Sequence, residues 1–326
     1  MTIDLGAGNL YSISNMIQAI NPRKGEGPLR VMRPRGRNTE LAANQEREIQ
    51  RMEEISEHRI EEYVKYFPGS QPEMVLASVV AGNTEAQLWY TPQPDNNVVC
   101  LLWDKGNNVF YLSGQLVLSE TIEDLAALIN TYVKDRAIKE GLSYFKVRTL
   151  SPSLENSITY IFKNIPLHKT NKLFYTFRAK RVKAIPNPRL EGIQYHSIDA
   201  EFLEKGQFEN NHDVKSEVEW MWPSLERFRA KGFGVAAVID ASIVCWCTAE
   251  YVSENKCGIG IEAIEDFQNR GIATATAAHF LEHCMKQNIV PYWECDKDNI
   301  GSVRVAEKVG FEKTEETIFW SGQFLR

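Results

Sequence analysis

The sequence lacks the features that mark membrane-spanning and secreted chains. No uninterrupted apolar run is long enough to cross a bilayer, because Asp240 interrupts the longest candidate, between Val235 and Cys247. The first residues do not combine a basic segment with a following apolar one, so we expect no secretory signal. These absences predict a soluble, cytoplasmic protein with no membrane partner.

An excess of positive charge is also missing. The 326 residues carry a formal net charge of −6, which argues against a general nucleic-acid-binding protein. One local basic segment, residues 178–183, is best interpreted as a solvated strand end or linker. We therefore expect no nucleic-acid partner.

Metal-ligand spacing is absent as well. The six cysteines do not follow a metal-finger pattern, and Cys245 and Cys247 share one face of an expected strand, which favours buried free thiols. His279 and His283 lie four residues apart on an expected helix, but charged residues share their face, so a solvated polar stripe is the preferred interpretation. The sequence predicts no metal site.

The most informative feature present is a short polar loop between an expected strand and an expected helix. The strand covers residues 257–263, and apolar or small residues recur at helical spacing from Ile272 to Lys286. The first turn of a helix presents unpaired backbone N–H groups and the positive end of the helix dipole, both of which favour an anion. Gly271 and Ala273 would let a phosphate approach the main chain. The loop therefore predicts a pyrophosphate site.

The loop pattern Gln268-x-x-Gly271-x-Ala273 resembles the acyl-CoA loop of the GNAT acetyltransferase superfamily. Three expected elements follow it in the order of that fold: a strand over residues 291–295, a helix over residues 299–311 and a strand over residues 317–320. The resemblance covers about residues 186–326. The strand Pro291-x-Trp293-Glu294-Cys295, the helix start Asn299-x-x-Ser302 and the helix end over residues 306–311 look most like the subgroup containing the zwittermicin-resistance acetyltransferase. The resemblance implies a mostly antiparallel central sheet whose strands splay apart at the acyl-CoA site.

The resemblance also implies which residues bind acetyl-CoA as a co-substrate. The strand end would pair with pantetheine, the loop would bind the pyrophosphate, and the start of the next helix would contact the cofactor region. The implied residues are Ala263, Ile264, Gln268, Asn269, Arg270, Gly271, Ile272, Ala273, Asn299 and Ser302. Asn299 also fits the routine role of a helix N-cap.

Two carboxylates qualify as the general base that takes a proton from an attacking amine. Glu262 ends the strand beside the expected thioester and is slightly preferred, and Glu294 lies on the neighbouring strand. For each, an exposed strand-end carboxylate is the alternative interpretation. Many family members protonate the departing thiolate with a tyrosine, but this chain has Ala306 there. The general acid is left open between Ser302, Tyr292 and solvent.

The acceptor would be a small-molecule or peptide amine. By resemblance, part of its site lies on a helix expected over residues 215–231, where acidic residues accompany tryptophans. Such residues suit a cationic amine, although ordinary packing of an amphipathic helix on a sheet is the preferred interpretation.

The rest of the chain divides into predicted segments: an extension over residues 1–40, an amphipathic helical segment over residues 41–70 and an α+β lobe over residues 71–185, before the acetyltransferase domain over residues 186–326. The lobe contains strands, a helix expected to start at a capping box over residues 121–124, and further strands. This order repeats that of the C-terminal half. A degenerate GNAT-like repeat and a generic α+β domain both remain open.

Residues 3–15 resemble the start of the glutaminase subunit of imidazole glycerol phosphate synthase. That chemistry needs a nucleophilic cysteine on a strand-to-helix elbow and a partner histidine, and we find neither arrangement. The sequence thus predicts an α+β (mixed α/β) N-acetyltransferase that transfers an acetyl group to an amine by direct attack in a ternary complex. A non-catalytic acyl-CoA-binding or regulatory module is the alternative, supported by Ala306.

Overall fold

The computed structural model describes residues 52–179, called here the N-terminal half, and residues 188–324, the C-terminal half. The expectations for residues 1–40, including the glutaminase resemblance, lie outside these ranges. Within them, the strands are β1 (Glu53–Ile55), β2 (Ala86–Pro92), β3 (Val98–Asp104), β4 (Val109–Gly114), β5 (Tyr144–Thr149), β6 (His168–Phe177), β7 (Gln194–Ile198), β8 (Gly234–Ile239), β9 (Ser242–Glu250), β10 (Lys256–Ala263), β11 (Val290–Asp296) and β12 (Phe311–Gln323).

The α-helices in these ranges are α1 (Ser70–Val80), α2 (Glu120–Leu128), α3 (Lys134–Lys139), α4 (Pro152–Asn156), α5 (Ile158–Ile161), α6 (Ala200–Lys205), α7 (Asn211–Met221), α8 (Leu225–Lys231), α9 (Ile272–Lys286) and α10 (Ile300–Lys308). A π-helical turn, Ile129–Val133, joins α2 to α3, and a 3₁₀ helix covers Glu57–Tyr66. None of the helices described is long and apolar enough to span a membrane.

All twelve strands belong to one sheet, in the order β1-β2-β3-β4-β5-β12-β6-β11-β10-β9-β8-β7. Neighbouring strands are antiparallel except at β4–β5 and β10–β11. The predicted mixed fold with a mostly antiparallel sheet is therefore confirmed.

The two halves of the chain exchange strands at the centre of this sheet. β12 of the C-terminal half pairs with β5 and β6 of the N-terminal half, and β6 pairs in turn with β11. Each half thus contributes a strand that lies between two strands of the other. The predicted boundary near residue 185 falls between the described ranges, but strands of both halves belong to the same sheet.

Several local predictions are corrected by the structure. The capping box over residues 121–124 is wrong, because α2 begins at Glu120 and the buried Thr121 hydroxyl instead accepts a hydrogen bond from Gln93 Nε2 at 2.8 Å. The helix expected over residues 215–231 is two helices. It breaks at Trp222, whose extended backbone suits a residue that precedes a proline.

The other corrections concern the last strand and the helical segment predicted over residues 41–70. The last strand spans 13 residues rather than four, because charged side chains along β12 hide its apolar pattern. Of the helical segment predicted over residues 41–70, the described part is β1 followed by the 3₁₀ helix, and α1 comes after it without having been predicted.

The cysteines and histidines of interest lie in packed surroundings. The six cysteines are buried and free, as predicted. The rings of His279 and Tyr195 lie 4.1 Å apart between centroids, and those of His283 and Phe233 lie 4.5 Å apart. The two histidines thus each pack on an aromatic ring, while His283 is exposed and His279 half-buried, as a partly solvated polar stripe requires. Among the described residues, no group of three or more His, Cys, Asp or Glu could hold a metal ion.

Candidate active site

A gap opens in the sheet between β10 and β11. The two strands pair in parallel only at their first residues, Lys256 with Val290 and Cys257 with Pro291. β10 then follows β9 as far as Ala263, while β11 follows β6. The divergence leaves one backbone edge of β10 facing open space, where an extended ligand can form hydrogen bonds as a neighbouring strand would.

The direction of the β10 amides follows from the antiparallel ladder with β9. The N–H of Ile264 donates to the carbonyl of Val244 at 3.0 Å. Because bonded pairs alternate along such a ladder, the Glu262 N–H also faces β9, whereas those of Ile261 and Ala263 face the gap. Of the backbone groups of Glu262 to Ile264 that were predicted to pair with pantetheine, the amides of Glu262 and Ile264 are thus bonded toward β9, and the amides that face the gap are those of Ala263 and Ile261.

The predicted pyrophosphate loop leads directly into α9. Gly271 has φ +85° and Asn269 has φ +59°, a left-handed backbone that favours glycine and asparagine. The first helical bond runs from Ala275 N–H to the Gly271 carbonyl at 3.1 Å, so the preceding amides of this turn have no intrahelical acceptor. Gln268 shapes the loop, since its Nε2 donates to the Ala263 carbonyl at 3.0 Å.

One cavity of about 770 Å³ joins the loop, the gap and the N-terminal half. It brings together most of the predicted site residues: Glu262, Ala263, Gln268, Asn269, Gly271, Ile272, Ala273, Glu294, Asn299 and Ser302. Ile264 and Arg270 are not among its lining residues. The guanidinium of Arg270 instead lies 5.6 Å from the centre of the Phe267 ring.

The start of α10 closes one side of the cavity. The Asn299 side-chain oxygen accepts from the Ser302 N–H at 3.0 Å, which confirms the N-cap role. The Ser302 hydroxyl oxygen accepts from the Trp293 indole N–H at 3.0 Å. Ala306 is fully buried one turn later. Ser302 is thus held rigidly at the cavity wall.

Glu294 is engaged by a lysine from the N-terminal half. Its carboxylate lies 3.0 Å from the ammonium of Lys172, and that of Asp296 lies 3.3 Å from it. Burial lowers the pKa of Lys172, but the two carboxylates outweigh burial and raise the pKa above its ordinary value. Glu294 therefore faces the cavity as one member of a charge network that joins the two halves.

Glu250, at the end of β9, is a cavity residue that the sequence analysis missed. It is only 8% exposed, and burial, reinforced by the negative charges of Glu217 and Glu294, raises its pKa to about 8. Its carboxylate lies against Gly260 of β10, where an added Cβ would be 2.5 Å from Glu250 Oε1. The only sequence signal for a side chain packed here was the pair of glycines at positions 258 and 260, which leave room beside β10.

Two further buried carboxyl groups lie behind the cavity. Glu217 of α7 accepts from the Trp246 indole N–H at 2.5 Å and from the Thr248 hydroxyl at 2.7 Å, and burial raises its pKa to about 7. Asp104 of β3 accepts from the Tyr251 hydroxyl, and burial raises its pKa to about 7. Folding therefore shifts three carboxyl groups in the same direction.

We expect the free energy of unfolding to fall as the pH rises from about 5 to about 8, because Asp104, Glu217 and Glu250 keep protons in the folded state that the unfolded chain has already lost. Urea denaturation across this range measures the slope. Glu217→Gln should flatten it, whereas Glu219→Gln, an exposed change on the same helix, should not. A stability that increases over this range would contradict the assignment.

Comparison with known proteins agrees with this architecture. The GNAT acetyltransferase family model matches residues 65–319. A curated relative, the uncharacterized N-acetyltransferase YdfB of Bacillus subtilis (strain 168), is 37% identical over 105 residues, which are 32% of this chain and 40% of the relative. The chain thus matches less than half of that relative's length.

Solved structures show the same fold over both halves. The GCN5-related N-acetyltransferase-like protein from Streptococcus suis 89/1591 has a TM-score of 0.56 at 15% identity, covering 82% of this chain and 99% of its own. A tandem GNAT protein from the clavulanic acid biosynthesis pathway has a TM-score of 0.51 at 11% identity, covering 84% and 99%. The family model spans well over half of the length of this chain. The chain therefore belongs to the GNAT acetyltransferase family.

Proposed function

We propose that this protein is an N-acetyltransferase that transfers an acetyl group from acetyl-CoA to an amine by direct attack in a ternary complex. The observation that supports this most strongly is the gap between β10 and β11. The N–H groups of Ile261 and Ala263 face it, and the loop before α9 opens into the same cavity. Family membership supports an acyltransferase of this general type.

In this proposal the cofactor lies along the gap with its pyrophosphate at the loop. The first-turn amides of α9 would bind the phosphate oxygens, and the left-handed Gly271 would let the phosphate approach the main chain. Arg304 and Lys308 of α10 are exposed, line the same cavity and add positive charge on that side. They are cofactor-side residues that the sequence analysis did not identify.

The chemistry requires an amine that loses its proton and an oxyanion that is stabilised. We assign to Glu250 the role of the general base that takes this proton. A base with a pKa near the working pH combines a useful ionised fraction with sufficient basicity. Glu262, the base preferred from the sequence, lies two residues beyond Gly260 on the same face of β10 and is the second candidate. An N–H of Ile261 or Ala263 facing the gap would stabilise the oxyanion.

The departing thiolate also needs a proton. Tyr292 and Ser302 both line the cavity and remain the candidate acids, together with solvent. The Ser302 oxygen already accepts one hydrogen bond from Trp293, and its hydroxyl also forms a side-chain hydrogen bond with Cys295, which it would have to leave to protonate the thiolate. Ala306, by contrast, offers no acidic group at the position where many relatives have tyrosine.

A rival function, a non-catalytic acyl-CoA-binding module, would use the same gap and loop. The two functions separate in one assay, in which the protein is mixed with acetyl-CoA and a panel of amines and free CoA thiol is followed. If the protein is an enzyme, the rate of CoA release with at least one amine rises in proportion to the protein concentration. A binding module raises its melting temperature with acetyl-CoA and releases none above the buffer rate.

Gly271→Glu tests the cofactor site. The new side chain brings a negative charge to the phosphate position, so we expect acetyl-CoA affinity to fall by about 100-fold or more, measured by calorimetry. The substitution is also strained by the left-handed backbone, and Gly206→Glu, at φ +56° and outside the cavity, is the matched control. Equal affinity in Gly271→Glu and wild type would show that the loop does not bind the cofactor.

A further inference from the structure

The N-terminal half supplies one wall of the cavity, on the side away from the α9 loop. This wall consists of Ser70, Gln71, Met74, Asn107, Lys146, Lys172, Phe174 and Tyr175. A cofactor that follows β10 and the loop is bound by the C-terminal half. The wall is therefore placed to contact the second substrate, the acceptor.

The two lysines of this wall differ in their partners. The Lys172 ammonium already lies 3.0 Å from Glu294 and 3.3 Å from Asp296. No carboxylate oxygen of the described residues lies within 4.0 Å of the Lys146 ammonium. Its neighbour on the same face of β5, Arg148, is paired with Glu315 at 2.5 Å. Among the described residues, Lys146 is thus the cation of this wall with no carboxylate in direct ion-pair contact, and Glu294, Asp296 and Glu250 act on it only from farther away.

Lys146 is held in place by the centre of the sheet. Its strand, β5, lies between β4 and β12, with Lys146 opposite Val109 and Ser321. Burial, followed by the positive charge of Lys172, lowers its pKa, and the negative charges of Glu294, Asp296 and Glu250 offset only part of this decrease. An anion bound beside the ammonium would relieve part of this cost, because a partly buried charge is favourable only when it is paired.

A buried carboxyl group borders the same space on the C-terminal side. Glu250 lies against Gly260 of β10, next to the amide of Ile261 that faces the gap. Asn107 forms a hydrogen bond with the Glu250 side chain, so the N-terminal half also orients this carboxyl group. The cavity therefore offers a cation on one wall and a carboxyl group beside the expected thioester.

We propose that the acceptor is an amine that also carries an anionic group, with the anionic group paired to Lys146 and the amine directed at Glu250. This inference rests on the proposed acetyltransferase function and defines its substrate class. A free amino acid has this chemistry, and so does an amine phosphate. An amine without an anionic group would bring a second positive charge toward the Lys146 ammonium and no anion to contact it, so it should be a poor acceptor.

Matched acceptor pairs test the proposal. CoA release is measured with free amino acids against their carboxamides, and with phosphoethanolamine against ethanolamine. We expect the anionic member of at least one pair to have a kcat/KM about tenfold or more above its neutral partner, mainly through KM. Whether the carboxylate or the phosphate series responds identifies the anionic group.

Variants of Lys146 assign the preference to this residue. Lys146→Met keeps the length of the side chain without its charge and should lower kcat/KM for the anionic acceptor about tenfold or more, which removes most of its advantage over the neutral partner, with acetyl-CoA affinity unchanged. Lys146→Arg should retain most of the preference. Lys169→Met, an exposed lysine over the Trp320 ring and outside the cavity, is the control. Melting temperatures show whether each variant folds.

The outcomes separate this inference from the function on which it rests. Neutral amines that release CoA as fast as their anionic partners, or a Lys146→Met protein with an unchanged preference, would overturn the substrate class and leave the acetyltransferase standing. Absence of CoA release with every amine, despite acetyl-CoA binding, would overturn both.

Discussion

A protein shortened to residues 180–326 is expected to be unfolded or aggregated and unable to bind acetyl-CoA. The truncation removes β6, which separates β11 from β12, and β5, the other neighbour of β12. The 13-residue β12 would lose both partners, and Phe319 would lose Phe174, whose ring lies 6.3 Å away. Long unpaired strand edges and exposed apolar side chains promote aggregation. Circular dichroism, solubility and calorimetry with acetyl-CoA measure the result.

A less severe truncation provides the comparison. Residues 164–326 retain β6 (His168–Phe177) and therefore the ladder β12-β6-β11, although β12 then becomes an edge strand. We expect this protein to be more soluble and to melt at a higher temperature than residues 180–326. Cooperative unfolding and full acetyl-CoA binding by residues 180–326 would contradict the need for strand exchange and support an independent domain beginning near residue 186.

Glu250→Gln is expected to lower turnover by about 100-fold or more without changing acetyl-CoA affinity. Glutamine keeps the size of the side chain but cannot accept the amine proton. In the wild type, the rate should rise with pH as Glu250 loses its proton and level off above its pKa of about 8. That rise should be absent from the residual activity of the variant. Rate profiles against pH, with calorimetry for the cofactor, measure both effects.

Parallel variants decide between the candidate bases. Glu262→Gln and Glu294→Gln remove the two carboxylates that the sequence analysis proposed, and Glu217→Gln removes a buried neighbour that does not line the cavity. An inactive Glu262→Gln protein beside an active Glu250→Gln protein would return the role to Glu262. Loss of activity in all three cavity variants with unequal pH profiles would point to a shared proton path.

The predictions that succeeded concern structure encoded within a few neighbouring residues. The helix predicted from Ile272 to Lys286 has those bounds in the structure, since helical periodicity and the preceding Gly271 are both local signals. Asn299 acts as the predicted N-cap for the same reason. The predictions that failed locally, such as the capping box over residues 121–124, overlooked a distant partner, here Gln93.

The residues that could be identified only from the folded structure share a different property. Glu250 ends an ordinary apolar strand, and Lys146 stands in another, with no motif around either. They line one cavity only because β12 lies between β5 and β6, and so joins the two halves into a single sheet. Sequence spacing carries no information about this placement, since the two residues are far apart in the chain.

The sequence by itself determined the family resemblance, the loop that starts α9 and the alternation of strands and helices, because backbone conformation and helix-end chemistry depend on adjacent residues. The tertiary structure alone decided the strand exchange, the direction of the β10 amides and the charges that face the acceptor. Those features depend on strand register and on burial, which arise when distant segments pack. The loop was therefore readable from the chain, whereas the acceptor wall with Lys146 and the carboxyl group of Glu250 became visible only in the folded protein.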